Sequence, residues 1–272
     1  MNDQTENLCS CMSGKKYEEC CKHRTDFISF IKDNFHADYI DAGYIINGLS
    51  RDSNLMMKYV RHTFSTITIP IVWAVNPDLS ANMRTFAIES NFNIVIIKKA
   101  PIESKDIFDA AHELGHVKLG CAGYPGIRSK ENGEIFIMLA SVTNNVVQDP
   151  IINATLSLFG FDLGAYLQKG NKLQLPFIQS MPKKNAMDEF SRHIIKCILI
   201  EKIQEWWIKT SKQKPSNLIL KYCERSYPDI VKEANSFACY IRRRNPMSPE
   251  RAREILNELI IQDKMQKYLQ VY

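Results

Sequence analysis

Apolar positions change their period along this chain, and the change marks its organisation. Over residues 25–35 (TDFISFIKDNF), and again from Asn54 to Ser65, they recur every three to four positions, which predicts two short amphipathic helices. Three runs dense in β-branched residues follow: 67–75 (ITIPIVWAV), 84–89 (RTFAIE) and 92–100 (FNIVIIKKA). Asn-Pro and Ser-Asn turns separate them, so they read as strands. Beyond residue 104 the helical period returns and persists. Met187–Lys209 carries apolar residues at helical spacing, and so does Glu250–Tyr268, introduced by Ser248-Pro249 as cap and first position. The pattern predicts an α+β chain, mostly helical, with a small sheet placed before the helical part.

One predicted helix carries chemistry. Ser104-Lys105-Asp106 offers a capping hydroxyl and then an acid in the first turn, where the helix dipole favours it. Ile107, Ala110, Ala111, Leu114 and Val117 follow as a buried stripe. His112 and His116, one turn apart, share another side, with Cβ atoms about 6 Å apart. Two imidazoles so placed can converge on one ion through bonds of about 2.0–2.1 Å. Glu113 lies about 100° further round the helix, outside that ligand shell but within reach of a water on the ion. Gly115 costs about 1 kcal/mol relative to alanine inside a helix, and between two histidines it reads as room for a neighbouring segment. The bland alternative is two surface histidines on an ordinary helix.

A catalytic zinc takes three protein ligands and keeps one position for water. In 141–156 (SVTNNVVQDPIINATL), Asn145, Asp149 and Asn153 share one face of any continuous helix, amid Val146, Val147, Ile151 and Ile152. The competing reading makes Asp149 an N-cap and Pro150 the first residue of a new helix, with no metal involved. Glu134 and Glu233 are further candidate donors, and Asn145 is a poor one.

The phrase FDAAHELGHVKLG (108–120) resembles the active-site helix of zincin metallopeptidases, notably the ImmA/IrrE-type group. That resemblance implies a zincin-like domain over residues 25–272 and a sheet before the helix whose edge strand binds substrate backbone, for which 92–98 is the candidate. The string around Asp149 is similar to a segment of metallopeptidases found beside von Willebrand A-type proteins, which implies Asp149 as third ligand. The reaction implied is hydrolysis of a peptide bond, with catalytic Zn²⁺ on His112, His116 and Asp149 and with Glu113 as general base. Tyr166, Arg192 and His193 are candidate partners for the oxyanion.

A second zinc is expected at the N-terminus. Cys9, Cys11, Cys20 and Cys21 supply four thiolates from a peptide too small to bury a core, and a tetrahedral ion would fold it. This stretch resembles the SEC-C motif, which implies a structural zinc knuckle over residues 1–24 and a surface where a partner protein docks. His23 is a spare donor. Cys121, Cys197, Cys223 and Cys239 sit among apolar neighbours and read as core residues.

Composition narrows the setting. With 272 residues and 45% apolar content the chain can bury a substantial core. No apolar run approaches the roughly 20 residues that span a bilayer, and the N-terminus lacks the pattern of a secretory signal, so a cytoplasmic protein is expected. A net charge of +5 is mild, and Arg242-Arg243-Arg244 reads as a solvated helix end, which argues against a nucleic-acid groove. The expected partner is a protein or peptide substrate. The alternative function is a regulatory or docking protein with a structural knuckle and a vestigial or non-peptidase metal site.

Overall fold

The computed structural model describes residues 26–41, 45, 54–79, 81–88, 92–183, 186–208 and 218–272. The cysteines of the expected knuckle, Cys9, Cys11, Cys20 and Cys21, lie outside them. The chain is α+β and mostly helical, and it divides into two units, one ending at Ala122 and the other beginning at Gly123.

In the first unit, helices α1 (Asp26–Phe35) and α2 (Asn54–Phe64) accompany strands β1 (Asp38–Ile40), β2 (Ile71–Val75), β3 (Met83–Ile88) and β4 (Phe92–Ile97). The sheet order is β1-β2-β4-β3, with β2 and β4 parallel and the outer pairs antiparallel. Alternation explains the layers. Val72, Ala74, Ile94 and Ile96 point to one face and pack with Ile31 of α1, with Phe30, Phe35 and Phe86 closing the cluster. Ile71, Trp73, Val95 and Ile97 point to the other face and are equally buried.

This arrangement corrects the expectation for 92–98. β4 is internal, paired on both sides, and Asn93 to Ile97 are buried without a break, as a strand covered on both faces must be. The edges of this sheet, among the described residues, are β1 and β3. After a 3₁₀ turn at Ser104–Asp106, helix α3 (Ile107–Cys121) runs beside β3. Ser104 therefore opens the turn, whereas Asp106 is the N-cap of α3 and makes no side-chain capping bond.

The second unit is a helical bundle: α4 (Glu134–Phe159), α5 (Leu163–Ser180), α6 (Glu189–Trp207), α7 (Leu218–Ser226), α8 (Pro228–Arg244) and α9 (Pro249–Gln262). Asp162, Asp188 and Ser248 cap α5, α6 and α9 by accepting a backbone N–H three residues on. α4 packs on α6, and α6 on α8. A two-stranded sheet joins β5 (Ile127–Ser129) to β6 (Leu269–Val271). The periodic run expected to reach Tyr268 stops at Gln262, because Asp263 turns inward to His193 and Lys196 and Lys264 takes φ 60°.

α4 is one continuous helix through Pro150, so Asp149 is not the N-cap of a second one. Proline has no N–H, so the carbonyl of Val146 loses its helical donor. Gln204 of α6 replaces it: its Nε2 donates to Val146 O at 2.8 Å. α4 is also the one helix among the described residues long and apolar enough to cross a membrane by length and composition. It buries Thr143, Gln148, Asp149 and Asn153 within its apolar sequence.

Candidate metal centre

The site begins with α3. Its stripe of Ala110, Ala111, Leu114 and Val117 is fully buried, which fixes the rotation of the helix and hence the direction of its polar residues. Edge strand β3 adds a specific tie: Thr85 Oγ1 donates to the backbone carbonyl of Glu113 at 3.2 Å. This bond uses a carbonyl in the middle of the H-E-x-x-H turn. Sequence reasoning missed Thr85, because a threonine in a β-rich run carries no signal beyond strand propensity. At the start of the helix, Asn82 Nδ2 donates to Asp109 Oδ2 at 2.9 Å.

His112 and His116 turn the same ring nitrogen toward each other. Their Nε2 atoms are 3.2 Å apart, and the rings stand at 74°. His112 is buried and His116 half-buried. The distance bears on the question of an ion. A tetrahedral zinc with bonds of about 2.0–2.1 Å holds adjacent ligand atoms about 3.3–3.4 Å apart. The two nitrogens stand close to that edge length, so they fit a shared ion without a change of helix geometry.

A buried His-His-Asp group able to hold a metal ion is present. One donor atom each from His112, His116 and Asp149 lie within 4.8 Å of one another. Two neutral nitrogens and one carboxylate are a donor set suited to Zn²⁺, and His₂-carboxylate is a known form of catalytic site. Among the described residues this group includes neither Glu134 nor Glu233. Glu134 is the exposed first residue of α4, and Glu233 accepts from Arg192 Nη2 at 2.5 Å.

Glu113 is half-buried, and its carboxylate has no hydrogen bond or ion pair with any described residue. Two of the three candidate oxyanion partners are committed elsewhere. Arg192 is held by Asp229 and Glu233, and His193 is enclosed by Thr143, Cys197 and Asp263. Tyr166 is half-buried on α5.

Comparison with family models, with curated proteins and with solved structures finds no match for this chain.

Proposed function

We propose that this chain is a zinc-dependent hydrolase of peptide bonds, of zincin type, acting on an intracellular protein or peptide. The observation that carries the reading is the His112-His116-Asp149 donor group with the carboxylate of Glu113 on the same helix turn. His112, His116 and Asp149 would hold the ion. When bound in a site with an open position, such an ion acidifies water and polarises a carbonyl.

The rest falls to the protein's own residues. Glu113, half-buried and without a protein partner among the described residues, is suited to take a proton from the attacking water and pass it to the leaving amine. Thr85 holds the backbone carbonyl of Glu113 and so steadies the turn from which that carboxylate projects. An extended substrate has an available edge at β3, which is not paired on its outer side among the described residues.

Glu113→Gln tests the assignment, because it keeps size and hydrogen-bonding capacity but removes the base. The expected result is unchanged metal content with hydrolysis reduced by two to four orders of magnitude, roughly the worth of a general base. A variant that hydrolyses as fast as the parent refutes the role. Loss of metal from the parent protein at the helix, with zinc retained only by the N-terminal cysteines, would instead favour the docking or regulatory reading.

A further inference from the structure

The C-terminal unit contains a second polar centre, unconnected with the histidine motif. His193 is fully buried on α6, and both its ring nitrogens are engaged. Thr143 Oγ1 stands 2.8 Å from Nε2, but that hydroxyl already donates its only proton to Leu139 O at 2.6 Å. The hydroxyl can therefore only accept, so Nε2 carries a hydrogen, with Cys197 Sγ as a second neighbour at 3.4 Å. Nδ1 faces Asp263 Oδ2 at 2.6 Å, while the other oxygen of that carboxylate accepts from Lys196 Nζ at 2.5 Å. Nδ1 must also carry a hydrogen, and His193 is an imidazolium.

Two cations, His193 and Lys196, thus share one carboxylate in the interior. Burying excess charge is costly unless something compensates it. Lys196 and Asp263 are also the floor of a cleft of about 760 Å³, within the range of small-molecule sites. Its walls carry the neutral donors Asn235, Ser236 and Gln262, and at its rim stands Arg243. The arginines on either side of Arg243 are occupied by rings: Arg242 lies over Trp207 and Arg244 over Tyr240. Arg243 has no acidic partner among the described residues. The acid on the wall, Glu233, shares Arg192 with Asp229, so these three groups together keep one negative charge. Of these groups, Arg192, His193 and Lys196 are matched in number by Asp229, Glu233 and Asp263, so the positive charge left over is that of the exposed Arg243.

We propose that this cleft binds a small molecule through an oxyanion group, a carboxylate or a phosphate, seated between Lys196 and Arg243. Lys196 has three donor hydrogens and gives one to Asp263, so it can offer another to the ligand. The anion supplies the acidic partner that Arg243 lacks among the described residues, and Asn235, Ser236 and Gln262 can recognise the polar remainder.

The test is calorimetric titration of the full-length protein with inorganic phosphate and, separately, acetate, against chloride at matched ionic strength. Saturable binding of at least one probe is expected, and the one that binds better identifies the head group. Lys196→Met should abolish it. Arg243→Gln, at an exposed position that the fold does not need, should weaken it roughly ten-fold or more, as loss of a charged hydrogen bond does. Lys232→Gln, on the same helix outside the cleft, should leave it unchanged. Binding no better than chloride overturns the proposal. So does binding that Arg243→Gln leaves intact, which would place the anion elsewhere, the histidine motif included.

Discussion

His193 shows how one side chain can tie stability to pH. Burial alone would lower its pKa, but the sulfur of Cys197 and the carboxylate of Asp263 outweigh burial and raise it from 6.5 to about 9. The sign follows from linkage. A folded pKa above the ordinary value means that the stabilisation is complete below pH 6.5 and is lost as pH climbs through about 9. Unfolding free energy measured with urea should therefore decline between those limits. In His193→Gln the decline should be much shallower, whatever that variant's absolute stability. An equal slope in both proteins would show that another group is responsible. None of this was legible in the sequence. His193 read there as an oxyanion candidate, because nothing local tells that Thr143 and Asp263, 50 and 70 positions away, enclose it.

Helix α4 poses a question about secondary structure that its own sequence leaves open. Asp149-Pro150 is equally suited to starting a helix and to sitting inside one whose missing bond is made good elsewhere. Gln204 decides for the second, by bonding the Val146 carbonyl that Pro150 leaves without a donor. Gln204→Leu should cost about 1–3 kcal/mol, the usual penalty for an unsatisfied buried polar group. Pro150→Ala restores the backbone N–H, so the same leucine substitution should cost at least about 1 kcal/mol less in that background. Equal costs in the two backgrounds would mean that Gln204 does not compensate for the proline. The consequence reaches the metal group. A helix starting at residue 150 would present Asp149 as a cap, whereas the continuous helix carries it in a buried row with Asn153.

For the protein as a unit, the first question is how many metal ions it carries and where. The cysteine-rich N-terminus and the His-His-Asp group predict two zinc ions per chain. His116→Ala and Cys9→Ser should each reduce the count by one, independently, as measured by elemental analysis of purified protein. Asp149→Asn should lower zinc occupancy without removing the ion from the cysteines, because an amide is a much weaker zinc ligand than a carboxylate. A count that falls to zero in either single variant would mean that the two sites are not separate.

Local pattern was enough for some features and not for others. The helix of His112, Glu113 and His116 was readable because its ligand spacing and its apolar stripe both follow the 3.6-residue period within one segment. The strand runs were readable for the same reason, since β-branched density is a property of neighbours in the chain. Strand order was not: β3 became an edge and β4 the interior through pairings that no single run encodes. The end of α9 was also misread, because Asp263 leaves the helix to meet His193 and Lys196 on α6. Periodicity reports which face of an element is apolar, whereas partners distant in sequence set what that face meets, where the element stops and which buried charges must be balanced.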